Sequence, residues 1–469
     1  MTQADVAEKL GVEVTTVRRW ESGRCKPQPI KHRQLEELFG RVPQTKASPD
    51  VERSEGEQAL QVVPMRPVVI ETPRSQLVVI DTYTRFVAWD LGARLDRIAR
   101  AWPFCRGNAR YHELQTLLSR ELERKDNTMQ DNPINRRNAL RRLACVPIEL
   151  WGLTLFAPVA LSPFPFDDLL SQCAAGVTAL WYLRRGKDLS FVDNAVSRYI
   201  PTLEAMVNAG SGTQHQEAAS LLVQCLLLKA TCVDLLYSNY ATSLGYRKQA
   251  EKVSEQAASL TLSISTLRAQ SVSYDYADNW RQAMYTAKKA AHLIETAEEE
   301  TPIPLMIQSY VYAGLANYQA HNGKRQDALT SLGQARATFD AAIANKEPLA
   351  VCAGFDEGNL LLNSGLTYYH LGDSQQSINA FATISQLPES HETYRVESFI
   401  DQVMAEVYRE DKSRDMDFCI ARFKQGIQGA IAMRSEQKYT EAKNAYAAMR
   451  GAWPTEKRVK HLSEYLKHW

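Results

Sequence analysis

What this 469-residue chain lacks narrows its function before any motif is considered. Net charge is almost absent, with 55 Lys and Arg against 54 Asp and Glu. The chain as a whole therefore gives no electrostatic argument for a nucleic acid, a membrane surface or an acidic substrate, although one small basic domain would be lost in such a total. Paired cysteines are missing too: Cys25, Cys105, Cys145, Cys173, Cys225, Cys232, Cys352 and Cys419 are scattered, with no CxxC pair. This spacing argues against a zinc site or a disulfide framework and for small buried apolar residues in a reducing compartment. Long hydrophobic runs are also absent. The apolar stretch from Val146 to Phe166 is broken by Pro147, Pro158, Pro163 and Pro165 and carries Glu149, which argues against a membrane span. The opening residues are polar and helical in pattern from Thr2 onward, unlike a secretory signal. The expectation is a cytoplasmic protein with no membrane partner.

Catalytic sets are equally hard to find. The glycines at GKRQDA (Gly323) and GKDLS (Gly186) have no upstream phosphate-binding loop. The histidines, His32, His112, His215, His292, His321, His370, His391, His461 and His468, form no HExxH and no pair close in sequence. Asp275, Asp278, Glu295 and the Glu298 to Glu300 run read as solvated helix surface. The expectation is a protein that is not an enzyme and needs neither a cofactor nor a metal.

What the chain does have is helical periodicity and 45% apolar residues, ample for helical cores. The stretch Asn359 to Ile384 is its clearest unit. Leu362, Gly365, Leu366, Tyr368 and Tyr369 lie on one predicted helix, Leu371-Gly372-Asp373 makes a turn, and Ile378, Phe381 and Ile384 lie on a second. Such a hairpin cannot hide its apolar faces alone, so neighbours of the same kind are required.

Those neighbours fill residues 166–469. Helical segments are predicted over Asp168 to Leu183, Phe191 to Ala205, His215 to Leu236 and Tyr246 to Leu260, with Pro201 expected to kink or end the second. Four units then share small and aromatic residues at similar offsets: Ser271, Tyr274, Ala283, Ala287 and Ala290; Leu315, Ala316, Ala328, Leu332 and Ala335; Gly365, Tyr368, Ser377, Phe381 and Ile384; and Ala430, Ala442, Tyr446 and Met449 before Pro454. This pattern resembles the tetratricopeptide repeat, although Ser271, Ala316 and Gly365 are spaced more widely than the family period of about 34 residues. The resemblance implies an all-α solenoid whose first helices line a concave wall. On those helices Tyr274, Tyr312, Asn317, Asn359, Asn363 and Tyr369 set amides beside aromatic rings. A side-chain amide both donates to and accepts from an extended backbone, so these six are the candidate contacts for a peptide or protein ligand.

The amino-terminal residues 1–40 carry a different signal. Two short helices, Thr2 to Leu10 and about Thr15 to Ser22, are joined by a tight turn at Gly11, and a third runs from about Pro29 to Leu38. The run Thr2, Gln3, Ala7, Leu10, Gly11, Val12, Val17, Trp20, Glu21, Gly23 and Pro27 resembles the lambda-repressor-like helix-turn-helix family. The resemblance implies double-stranded DNA as partner, Gln3 on the DNA backbone, Val14, Thr15, Thr16, Arg18 and Arg19 facing the major groove, and action as a homodimer on a two-fold site. The family has one more helix before this point, where Met1 stands in the Leu position. Two expectations follow: a start upstream that restores the helix, or a repeat scaffold for protein–protein interaction with a non-functional DNA-binding domain.

Between these parts, residues 41–80 read as a Pro-, Ser- and Glu-rich linker, and residues 81–165 as a helical connecting region. Within the latter, Arg136, Arg137, Arg141 and Arg142 form one basic helix face, either solvated or set against an acidic partner or a nucleic-acid backbone. The whole layout is similar to transcriptional regulators that join a helix-turn-helix domain to tetratricopeptide repeats, which implies a peptide-sensing role for the array.

Overall fold

The computed structural model describes residues 140–141, 144, 166–298, 302–347, 354–387, 391–409 and 414–468. Gln3, Val14, Thr15, Thr16, Arg18, Arg19, the linker and the rest of the connecting region lie outside the described residues.

The described chain is all-α. Its helices are α1 (Phe166–Leu183), α2 (Leu189–Ala209), α3 (Gly212–Tyr237), α4 (Tyr240–Gln256), α5 (Leu260–Tyr276), α6 (Trp280–Glu295) and α7 (Leu305–His321). They continue as α8 (Arg325–Ala344), α9 (Glu357–His370), α10 (Ser374–Ile384), α11 (Glu392–Val407), α12 (Met416–Met433), α13 (Glu436–Ala452) and α14 (Lys457–His461), with a 3-10 helix over Leu462–His468. Among the described residues there is no strand.

Successive helices pair as antiparallel hairpins, α3 with α4, α5 with α6, α7 with α8, α9 with α10 and α11 with α12. A recurrent piece of local chemistry makes the turns. The chain leaves one helix through a left-handed residue, such as Ala258, Asp278 or Gly372, and the next residue caps the following helix. Ser259, Asn279 and Asp373 each accept a hydrogen bond from the backbone N–H three residues on. Each such cap is worth about 1 kcal/mol, and together they stop the hairpins from merging into longer rods.

Packing within the Asn359 to Ile384 unit follows the sequence pattern. Phe381 and Ile384 are wholly buried, and a side chain at Gly365 would collide with the Phe381 ring. Gly365 thus lets α10 lie close on α9, and burying Phe381 contributes about 1.5–3 kcal/mol.

Two sequence expectations are modified. α2 continues through Pro201 and does not end there; Tyr199 and Leu203 on either side are fully buried, and their burial offsets the lost backbone hydrogen bond. The predicted helix from Tyr246 to Leu260 is divided at Ala258, which takes a left-handed φ of 48°. Of the basic face, Arg141 ion-pairs with Asp188, while Leu140 and Ala144 join the core and Tyr199 donates to the Ala144 carbonyl. α3 is long and apolar enough to cross a membrane by length and composition, and 83% of that window is buried in the array.

The first helices of the hairpins form an inner layer. α3 touches α5, α5 touches α7, α7 touches α9, α9 touches α11 and α11 touches α13. The last unit aligned in the sequence joins α12 to α13; in the structure α12 is the outer partner of α11, and α13 takes the next inner place. There it returns to α3, so the inner helices close into a ring. One hydrophobic cluster holds Leu222, Cys225 and Leu236 of α3 together with Ala442, Ala445 and Met449 of α13. Ser435, the cap of α13, donates to the carbonyl of Leu235 at 2.7 Å.

The turn chemistry gives a direct expectation. Gly372 has φ of 78° and open space around it, so Gly372→Ala pays only the backbone penalty and lowers stability by about 1 kcal/mol. Ala258→Gly, which relieves the same penalty at an exposed site, raises it by about 0.5 kcal/mol. Both are read from urea unfolding midpoints.

Candidate functional site

Closing the inner layer encloses a lumen. It holds about 920 Å³ of atom-free space, part of it continuous with solvent, and is walled by α3, α5, α7, α9 and α11 with the end of α1 and Arg247 of α4. Its lining is unusual for a helical core because it is rich in charge.

Arg184, just past α1, is 7% exposed and stacks on Trp181 with its guanidinium carbon 5.5 Å from the ring centroid. Among the described residues its Nε and Nη1 have no hydrogen-bond partner and no carboxylate pairs with it; its side-chain hydrogen bond is with Tyr394. Arg268 on α5 is also buried, but better held: Nε donates to the Tyr310 carbonyl at 3.2 Å, and Nη1 to Tyr318 Oη and Ser271 Oγ, each at 3.0 Å. Room for both comes from glycine. A side chain at Gly314 would strike the Arg268 guanidinium, and one at Gly354 would strike Arg184.

The acidic groups are placed otherwise. Asp234 forms a buried ion pair with Arg247 at 2.8 Å, and removing either partner would leave a buried charge at a cost of about 3–5 kcal/mol. Asp275, near the end of α5, has no such partner among the described residues. Enclosure pushes its carboxyl up to about 8, against the pull of Arg268 and with the repulsion of Glu397, Asp278 and Glu441. Beside it, fully buried Lys438 of α13 is 2.6 Å from Glu397 and 3.0 Å from Glu441, with its ammonium 5.9 Å from the Tyr276 ring centroid. Burial, with Glu397 and Glu441 close by, raises the Asp401 carboxyl well above the usual range.

Of the six residues expected on the concave face, Asn317, Asn359 and Asn363 line the lumen together. Asn317 is 2% exposed and its Oδ1 has no partner. Asn363 spends its Nδ2 within its own helix, donating to the Asn359 carbonyl and Oδ1, both at 2.9 Å. The tyrosines lie elsewhere. Tyr312 and Tyr274 belong to the core between α5 and α8, and half-buried Tyr369 packs on His370, burial raising its phenol to about 12.

Sequence reading missed the principal charges. Asp275 reads as helix surface, yet ring closure turns it inward. Arg184 follows a helix in a run, Arg-Arg-Gly-Lys, that looks solvated. The signals available were indirect: Gly314 inside a mostly apolar helix, and Gly354 between helices. His321 and His370, far apart in sequence, meet outside the lumen with Nδ1 atoms 3.3 Å apart beneath Trp280. No group of three metal-binding side chains occurs among the described residues.

Stability should report the enclosed carboxyl. Asp275 binds its proton more tightly folded than unfolded, so its contribution is fully present below its ordinary pKa of 3.8 and is lost as pH rises through about 8. His370, pushed down to about 4 by burial, acts in the opposite sense: its contribution is present above 6.5 and lost as pH falls through about 4. Between pH 6.5 and 8 only the carboxyl term of this pair changes. The thermal midpoint is therefore expected to fall across that window in the wild type and to fall less in Asp275→Asn, measured by calorimetry.

No protein-family model matches the chain, and no curated protein does. Among solved structures, the apo form of RapI aligns with 69% of this chain and 98% of its own at 13% identity, with a TM-score of 0.43. A signal transduction ATPase with a tetratricopeptide repeat sensor, from Pyrococcus horikoshii, aligns with 76% of this chain at 12% identity and a TM-score of 0.34. This chain spans 53% of that protein's length. The Cut9–Hcn1 hetero-tetramer of APC/C aligns with 84% of this chain and 98% of its own at 14% identity, with a TM-score of 0.20. The functional reading of the lumen rests on its own geometry.

Proposed function

We propose that the array binds an extended peptide, or an unstructured segment of a protein, inside the lumen, and that the full chain is a regulator in which this event is transmitted to DNA-binding residues at its amino terminus. The observation that carries the first half is a set of buried polar atoms without partners. Asn317 Oδ1, Thr393 Oγ1, Trp181 Nε1 and Arg184 Nε belong to residues that line the lumen, and none makes a hydrogen bond among the described residues. Each unmade buried bond costs about 1–3 kcal/mol. A peptide backbone, with a donor and an acceptor at every residue, would satisfy them in series.

Coupling requires two arrangements of the array with different affinity for the ligand. The seam between α3 and α13 suits that need, since it joins helices far apart in sequence and leans on Lys438, whose partner Glu397 lines the lumen. The DNA-binding half rests on the resemblance of Gln3, Thr15, Thr16 and Arg18 to helix-turn-helix positions.

Two measurements test the two halves. Asn317→Ala and Thr393→Val remove unpartnered groups, so they should leave stability unchanged or raise it by up to about 1 kcal/mol while weakening peptide capture. A clear loss of stability with capture intact would assign these residues to the fold. On duplex DNA, the full chain should bind with an affinity that falls with salt, and the Thr15→Ala, Thr16→Ala, Arg18→Ala variant should lose that binding. Equal retention by both proteins would remove DNA from the proposal.

A further inference from the structure

Three successive hairpins meet outside the lumen, and their meeting point brings together two histidines 49 residues apart in the chain. His321 is the last residue of α7 and His370 the last of α9. Their Nδ1 atoms lie 3.3 Å apart, with the ring planes at 85°. Trp280, the first residue of α6, stacks on the His321 ring with centroids 3.7 Å apart and meets the His370 ring edge-on at 5.8 Å. Tyr369 also packs against His370, with centroids 5.2 Å apart. Arg325 of α8 donates to the Leu371 carbonyl at 3.2 Å and ties the turn after His370 to the neighbouring hairpin. The two rings are thus held in place by several elements.

A hydrogen bond between the rings fits this geometry poorly. A good N–H donor lies about 2.7–3.2 Å from its acceptor, and only one of the two facing nitrogens can supply the proton. The distance fits a bridging cation better. Two nitrogens bound at about 2.0–2.1 Å to one tetrahedral cation are about 3.3–3.4 Å apart, the edge of the tetrahedron. The observed separation matches that edge.

Electrostatics point the same way. Each ring stands at a helix carboxy terminus, where unpaired carbonyls and the helix dipole attract positive charge. The negative charge of Asp278, in the turn before α6, reaches His321. Burial disfavours the protonated form of both imidazoles, which leaves them neutral near pH 7, the form that gives a lone pair to a metal. His321 is exposed, so a cation can reach the pair from solvent.

We infer that His321 and His370 form a two-ligand site for a tetrahedral divalent cation of zinc's chemistry, bridging the ends of α7 and α9. Among the described residues no third metal-binding side chain completes the set, so the remaining positions are for water. Imidazole nitrogen and tetrahedral geometry select zinc over magnesium and calcium, which take oxygen ligands. Two ligands are half of a closed structural site and hold the ion with a Kd of about 1–100 µM. The bridge lies one helical turn beyond Asn317 of α7 and Leu366 of α9, both on the lumen wall, and so fixes the spacing of these helices there. It is independent of what the lumen binds.

The probe is zinc itself, titrated by calorimetry at neutral pH into the full chain after chelation of any metal. One equivalent should bind with a Kd of that order, and His321→Ala and His370→Ala should each weaken binding by at least about tenfold. Cobalt(II) supplies a second readout: the wild type should give the strong visible absorption of a four-coordinate ion, lost on addition of one equivalent of zinc. Undiminished zinc binding by the chain carrying both alanines would place the metal on other groups and overturn the site. A wild type that takes up no zinc, or that gives the weak spectrum of six-coordinate cobalt, would overturn it as well. The wild-type measurements decide by themselves should either variant fail to fold.

Discussion

Return of α13 onto α3 is the contact on which the rest of this structure depends. A solenoid of helical hairpins has an inner surface that water can reach along its whole length, and its stability is a sum of neighbour contacts. Here the last inner helix buries Ala442, Ala445 and Met449 in the same cluster as the first, and Ser435 is bonded to Leu235 across 200 positions of sequence. An open concave wall becomes an enclosed lumen. Charges that would be solvated on the wall of an open array are held in a medium of low polarity, where an unpaired group is expensive and a paired one is strong.

That enclosure explains the distribution of polar groups. Where the fold needs charges for itself, it pairs them, as in Asp234 with Arg247 or Lys438 with Glu397. Where it leaves them open, it has nevertheless made space for them: Gly354 clears the position of the Arg184 guanidinium. A core optimised only for stability would fill such space with aliphatic side chains. In the proposed function, the unpartnered atoms of Asn317, Thr393 and Arg184 are the ones a ligand in the lumen would meet.

Local features of the fold were legible in the sequence and long-range ones were not. The α9–α10 hairpin could be read from Gly365, Phe381 and the turn at Gly372, because a glycine turn followed by an aspartate cap is written in adjacent letters. The turn at Ala258 was hidden, since alanine gives no sign of a left-handed conformation that packing imposes on it. Asn317, Asn359 and Asn363 could be placed on the inner wall because asparagine is out of place inside a helix. Arg184 and Asp275 could not, because their meaning depends on ring closure, and closure is decided by residues far away in sequence. The same limit leaves the layer of α13 open: its alanines fit either layer, and only contact with α3 decides.

Closure can be measured without reference to any ligand. Spin labels on Ala241→Cys, in the first turn of α4, and Glu436→Cys, in the first turn of α13, occupy exposed positions on the two sides of the seam. Double electron–electron resonance on the full chain should give one short, narrow distance distribution. A broad distribution at long distance would show the first and last inner helices apart, and with them gone the enclosed lumen and the account of its charges would fail.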